Sequence, residues 1–272
     1  MTEKDIKEFL EATKFKTVES IQFGLHWLET WYFTPLPKEY HTKCLYICDF
    51  CLKFFVQARE MRRHSAVCDI RHPPGDEIYR DGEIAQGNCF SFFEIDGSKQ
   101  RVYCENLSYV SRMFLDHKNL YNSIEAFLFY VLCEVKEDGW HFVGYFSKEK
   151  VRDPNQNTNN LSCIMVMPFV QRSGFGKVLI EMSYALGMIE NKPGGPERPL
   201  SDLGHRAYVS FWTRRVVKVL LEMSQSENQI KIGDIKDRTG MTDDDIKYVL
   251  KHQNILRGDT LNCEKDFLES IL

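Results

Sequence analysis

Apolar residues recur along this chain in distinct rhythms, and each rhythm predicts an element. From Ile21 to Tyr32 they alternate in places (Ile21, Phe23, Leu25, Trp27), which is the period of a strand with one buried face. Pro35 and Pro37 end that segment. Cys89 to Ile95, then Asp96-Gly97, then Arg101 to Glu105 read as strand, turn and strand. Leu107, Val110, Met113 and Phe114 follow at helical spacing. Phe127 to Val135 is a continuous apolar run, the mark of a strand buried on both faces, and Trp140 to Phe146 reads as a second strand. The polar, Asn-rich stretch from Arg152 to Asn160 is a loop, and Leu161 to Met167 is a third strand stopped by Pro168. Beyond a glycine-bearing turn, Val178, Leu179, Met182, Leu186 and Ile189 lie on one helical face. Pro193 to Pro199 is a turn, Tyr208 to Met223 is another helix, and Thr242-x-x-Asp245 caps one of the short helices that close the sequence.

Composition narrows the class. The 272 residues are 43% hydrophobic and 27% charged, which is an ordinary folded composition. No apolar run is long enough to cross a bilayer, and Met1 to Leu10 mixes charged and apolar residues, unlike a secretory signal. A net charge of −4 argues against a protein that wraps nucleic acid, so little direct nucleic-acid binding is expected, while a basic partner suits that sign. Nine cysteines without an export signal point to thiols or a metal and away from disulfides.

Four of those residues form a metal pattern. Cys48-x2-Cys51-x12-His64-x3-Cys68 has the ligand types and spacing of a structural zinc site. Three thiolates and one imidazole close a tetrahedron and leave no position for a reactive water. Cys44 is a rival for Cys48, at a poorer knuckle spacing. Arg59, Arg62 and Arg63 allow a DNA-reading finger, but Leu52, Phe54, Phe55 and Val56 predict a finger that packs on the rest of the protein.

A second pattern lies between the third strand and the helix after it. In Gln171-Arg172-Ser173-Gly174-Phe175-Gly176-Lys177 the two glycines allow close approach of an anion to the backbone. The helix start offers free N–H groups, and Arg172 and Lys177 add positive charge. The segment is neither a Walker loop nor a Rossmann fingerprint. It looks like the acetyl-CoA pyrophosphate loop of the GCN5-related acyltransferase fold.

The surrounding text is more specific. Tyr-Ile-Cys-Asp-Phe-Cys-Leu-Lys stands in the finger and Pro-Pro-Gly-Asp-Glu-Ile-Tyr-Arg at 73–80. Phe-Leu-Asp-His-Lys at 114–118, Phe-Leu-Phe-Tyr-Val-Leu at 127–132 and His-Phe-Val-Gly-Tyr-Phe-Ser-Lys-Glu-Lys at 141–150 follow. Pro-Leu-Ser-Asp-Leu-Gly at 199–204 completes the set. In content and order the chain resembles the MYST histone acetyltransferases from about Ile21 onward. The resemblance implies an α+β fold: a GCN5-related acetyltransferase-like central core with an N-terminal zinc-finger region and a C-terminal helix-turn-helix-like region. The expected boundaries are a tail at 1–20, an N-terminal region at 21–88 with its C2HC finger at 44–70, an acetyl-CoA-binding core at 89–204 and a helical region at 205–272. The MYST-type domain as a whole would run from about 14 to 272.

The resemblance also implies roles. Glu197, in Gly-Pro-Glu-Arg-Pro, matches the family's general base in its Ser-Pro-Glu-Lys-Pro segment, with departures at Gly195 and Arg198. Cys163 matches a cysteine that faces the acetyl thioester, either lining the site or acting as nucleophile. Ile164, Val166, Arg172, Ser173, Gly174, Phe175, Gly176, Lys177, Ser201 and Ser210 match cofactor-binding positions. Lys118 matches a lysine that these enzymes acetylate on themselves. Met165-Val166-Met167 replaces the commoner Leu-Thr-Leu, which removes a threonine hydroxyl and keeps the backbone contacts. The implied activity is transfer of acetyl from acetyl-CoA to lysines of core-histone tails, in the nucleus, within a chromatin-modifying complex and with one structural zinc per chain. The alternative is a catalytically silent scaffold of the same fold. No chromo-like or reader segment accompanies these motifs, so targeting by such a module is not expected of these residues. Asp243, Asp244 and Asp245 would repel phosphates, so the C-terminal helix pair reads as a packing and partner surface.

Overall fold

The computed structural model describes residues 16–116, 123–150, 159–224, 230–258 and 260–272. It is an α+β protein whose chain falls into two compact units, one made of residues 1–150 and 163–173 and the other of 151–162 and 174–272.

The first unit opens with a four-stranded sheet in the order β2-β1-β3-β4. β1 (Val18–Phe23) and β2 (His26–Glu29) form a hairpin around Gly24, whose φ of 54° is left-handed. The single strand expected from Ile21 to Tyr32 is therefore a strand, a turn and a second strand, because the chain reverses at a glycine. β3 (Thr42–Ile47) runs parallel to β1, and β4 (Phe54–Phe55) pairs antiparallel with β3. Helix α1 (Ala58–Val67) follows.

A five-stranded antiparallel sheet in the order β10-β8-β7-β6-β5 forms the rest of the unit. Its strands are β5 (Asp76–Asp81), β6 (Phe90–Asp96), β7 (Phe127–Lys136), β8 (Gly139–Glu149) and β10 (Cys163–Val166). β7 and β8 are the apolar runs of the sequence, and most of their residues are buried. Between β6 and β7 the chain forms helix α2 (Arg101–Arg112), where the sequence pattern predicts a strand over 101–105. The reason is visible in the packing. Tyr103, Cys104, Leu107 and Val110 make a continuous buried helical stripe, Val102 is 71% exposed, and Arg101 pairs with Glu105 one turn on at 2.7 Å. Ile21, Leu45, Ile47 and Leu52 from the finger side share one core with Leu107, Val110, Phe129, Val131 and Tyr145.

The second unit is mainly helical. β9 (Asn159–Leu161) pairs in parallel with β11 (Gly195–Pro196). The expected strand from Leu161 to Met167 is thus two strands in two different sheets, β9 and β10, separated by Ser162. Helices α3 (Phe175–Ile189) and α4 (Asp202–Met223) carry a buried aromatic cluster in which the Trp212 indole N–H donates to the Tyr184 hydroxyl at 2.7 Å. α5 (Ile232–Thr239) and α6 (Asp243–His252) form the helix-turn-helix-like pair. Gly240 ends α5 in a left-handed cap with φ 68°, and Thr242 caps α6 by accepting from the Asp245 N–H at 3.2 Å. A hairpin, β12 (Leu256–Arg257) with β13 (Thr260–Leu261), and helix α7 (Lys265–Glu269) complete the unit.

Candidate active site and metal centre

The metal centre is assembled from two local devices. Cys48 and Cys51 flank a tight turn after β3, in which the Leu52 N–H bonds the Cys48 carbonyl at 2.9 Å and the Cys48 N–H bonds the Lys53 carbonyl at 3.1 Å. Leu52 closes the turn with φ 60° and is fully buried, so a residue in a strained conformation also anchors the knuckle in the core. His64 lies in the last turn of α1 and Cys68 caps that helix, four residues on and on the same face. One ligand atom from each of the four residues lies within 4.8 Å of all the others, and Cys51 Sγ is 3.2 Å from His64 Nε2. A tetrahedral zinc with bonds near 2.1–2.3 Å needs its ligand atoms about 3.5–3.8 Å apart, so the four fit one ion with small shifts. The hydrogen bond between Cys48 and Cys51 raises the first thiol and lowers the second; burial adds to the rise at Cys48 and is the main cause of the rise at Cys68. A metal would displace the remaining protons. Cys44 is not in the group. Leu52 and Phe54 are buried in the core, whereas Arg59, Arg62 and Arg63 are exposed on α1.

Of the cofactor candidates, Cys163, Ile164 and Val166 sit half-buried on β10, at the edge of the five-stranded sheet. Cys163 Sγ is 3.6 Å from the hydroxyl of Tyr145, which lies 2.7 Å from Ser111 Oγ. Burial holds the Tyr145 phenol well above its usual pKa, so it stays neutral beside the thiol. This trio was missed from sequence, since Ser111, Tyr145 and Cys163 come from three elements far apart in the chain.

After β10 the backbone turns through two left-handed residues, Arg172 (φ 67°) and Gly174 (φ 90°), and then enters α3. Gly174 is the N-cap of α3 and no side chain caps the helix. A helix start with no side-chain cap leaves its first N–H groups free to meet an anion. Arg172, Ser173 and Lys177 are exposed around this helix start.

Glu197 is exposed at the end of β11, with its N–H bonded to the Leu161 carbonyl at 2.8 Å. Arg198, beside it, donates to Asp245 at 2.6 Å. Ser201 caps α4, accepting from the Gly204 N–H at 3.1 Å, which leaves its own hydroxyl proton available. Ser210 is exposed in a cleft of about 410 Å³ with His205, Arg206, Arg214 and His252. Lys118 lies outside the described residues.

Comparison with known proteins gives this geometry a lineage. The profile of the MOZ/SAS family matches residues 72–270, and that of the MYST family zinc finger domain matches residues 15–68. The chain belongs to the MOZ/SAS (MYST) family. Among curated MYST relatives, a protein described as putative MYST-like histone acetyltransferase 1 of Oryza sativa is 44% identical over 93% of this chain and 54% of its own length. Histone acetyltransferase of the MYST family 2 from Arabidopsis thaliana is 44% identical over the same shares. Histone acetyltransferase mst1 from Schizosaccharomyces pombe is 42% identical over 95% of this chain and 54% of its own. The chain therefore spans about half the length of the curated relatives it matches. The finger of this MYST chain supplies Cys48, Cys51, His64 and Cys68 arranged to bind one metal ion.

Proposed function

We propose that this chain is a lysine acetyltransferase that acts on core-histone tails, with Glu197 as general base. The observation that carries the reading is the uncapped start of α3 behind two left-handed residues, a ready receptor for a diphosphate, in a chain of MYST descent. Acetyl-CoA supplies an activated acetyl thioester. The N–H groups from Arg172 to Gly176 hold its diphosphate, with Arg172 and Lys177 adding charge. Ile164 and Val166 offer backbone partners along the β10 edge, and Ser201 and Ser210 offer hydroxyls.

A lysine ammonium has a pKa of about 10.4 and cannot attack until it loses a proton. Glu197 takes that proton, directly or through one water. The amine nitrogen then bonds the acetyl carbon, the carbon–sulfur bond breaks, and the second amine proton is given up as the coenzyme A thiolate leaves and is protonated to the thiol. Cys163 lines the thioester and is not acylated. The neutral Tyr145 hydroxyl near Cys163 Sγ supports that role, because a neutral phenol is no general base to take the proton of a nucleophilic thiol. The finger metal is structural. Histone tails as substrate, membership of a chromatin complex and a nuclear location belong to the same reading, which is supported by relatives described as histone acetyltransferases. Among the described residues no helix is long and apolar enough to cross a membrane.

Glu197→Gln tests the reading. It should leave folding and acetyl-CoA affinity intact while kcat on a histone-tail peptide falls by a factor on the order of 10² or more. Part of the loss should return in alkaline buffer, where solution supplies free amine. Wild-type turnover of this variant at neutral pH would mean the base lies elsewhere. Acetyl-CoA binding without any turnover by the wild type would favour the silent scaffold.

A further inference from the structure

An exposed glutamate that must meet a substrate amine needs its backbone fixed, because its own side chain finds no polar partner among the described residues. The segment that carries Glu197 is fixed at both ends. Upstream, the Gly194 N–H bonds the Gly240 carbonyl at 2.9 Å, and Gly195 and Pro196 are buried against β9. At Glu197 itself the N–H bonds the Leu161 carbonyl. Downstream, the Arg198 guanidinium sits 2.6 Å from Asp245 Oδ1 and 5.8 Å from the centre of the Trp212 ring.

Asp245 is the unusual member. Three aspartates occupy the first turn of α6, where acidic side chains favour the helix dipole. Asp243 and Asp244 do so exposed, and Asp243 pairs with Lys236 at 2.9 Å. Asp245 has only 4% of its side chain exposed. Capping does not require that burial, and a buried carboxylate is unfavourable unless it has a charged partner. Its pKa is raised, chiefly by the burial itself, with Thr242 and Arg198 acting against the rise. Gly195 makes the approach possible: a Cβ there would lie 2.5 Å from Asp245 Oδ2. Gly195 and Arg198, on either side of Glu197, thus both lie against Asp245.

We propose that Asp245 is a positioning residue for the acetyl transfer: through Arg198 it holds the loop that presents Glu197, and Gly195 leaves the space for it to do so. This inference rests on Glu197 being the base. It also gives the helix-turn-helix-like pair a task in catalysis, with no nucleic acid involved.

The test is a kinetic cycle in the full chain, with acetyl-CoA and a histone-tail peptide. Arg198→Met removes the arm at a largely exposed position, so the protein should fold, and a thermal melt checks that it does. It should lower kcat roughly tenfold or more, since small misplacements of a reacting group are costly, with both KM values within about twofold. Arg198→Lys, which keeps the charge, should restore most of the rate. The discriminating arm is the double variant. In a Glu197→Gln background, Arg198→Met and Asp245→Asn should each lower kcat by less than about twofold, because the group they position is no longer active. Equal losses in both backgrounds would show a general staple of the fold and overturn the inference. A rise in KM at unchanged kcat would overturn it as well. Wild-type turnover of Glu197→Gln alone is a separate result, which removes the base assignment and this inference with it.

Discussion

Gly174→Ala isolates the turn proposed to hold the diphosphate. Gly174 adopts φ 90° and ψ −11°, and an added Cβ would meet nothing within 4 Å. The substitution therefore introduces no clash. Its whole effect is conformational, about 1–2 kcal/mol for placing an L side chain in the left-handed region. That energy must be lost somewhere. If the turn keeps its shape, folding stability falls by about that amount. If it relaxes and re-forms around the ligand, acetyl-CoA affinity falls, by roughly 5–30-fold. Calorimetric titration with acetyl-CoA and denaturant unfolding of the same protein give both parts, and their sum should be about 1–2 kcal/mol. Gly87→Ala is the control: φ is 66°, nothing lies within 4 Å of the added Cβ, and the position is in an exposed loop before β6. It should lose stability alone. A Gly174→Ala protein with wild-type stability and with an affinity within twofold of wild type would refute the reasoning for this turn.

Three further outcomes are expected. Cys51→Ala, or chelation of the metal, should lower the melting temperature of the first unit as a whole, because Leu52 and Phe54 tie the knuckle to the core of the five-stranded sheet; one metal per chain by elemental analysis, lost in the variant, is the companion measurement, and a metal-free protein of full stability would contradict it. Cys163→Ser should remain active, perturbed only through its contact with Tyr145; near-complete loss together with an acetylated Cys163 in the wild type would establish a covalent route. His141 bridges Asp49 and Asp138 at 2.9 Å each, and the Asp49 bond, ahead of Asp138 and against burial, raises its pKa above 6.5. The stability it contributes is complete below about pH 6.5 and is lost as pH rises through the raised folded value. The stability gap between wild type and His141→Gln should then be wider near pH 6 than at alkaline pH, and an equal gap at both would refute the bridge.

What could be read from the sequence was what neighbouring residues decide. The four metal ligands lie within one short span, and their spacing is enough to bring them together. The turn before α3 is likewise local, announced by its glycines. The apolar runs of β7 and β8 declared themselves by length. Arg101 to Glu105 misled because Val102, Tyr103 and Cys104 form an apolar triplet; only the continuation of the stripe to Leu107 and Val110 favours a helix. Leu161 to Met167 misled because hydropathy does not reveal a change of sheet at Ser162. The Arg198–Asp245 pair, and the trio of Ser111, Tyr145 and Cys163, join residues far apart in sequence, where no periodicity or spacing carries a signal.

The route of the backbone between the two units has a consequence for how this protein is made and inherited. The chain passes from one unit to the other after Lys150, returns after Ser162 and leaves again after Ser173. No single cut separates them, so a truncation or gene fusion placed between the finger-bearing half and the helical half would deprive one of a strand. On the ribosome, the five-stranded sheet begun at β5 cannot be completed until β10 emerges, by which time β9 of the other unit has already been synthesised. Recombination in evolution meets the same obstacle: the halves can be exchanged only together, as one heritable block.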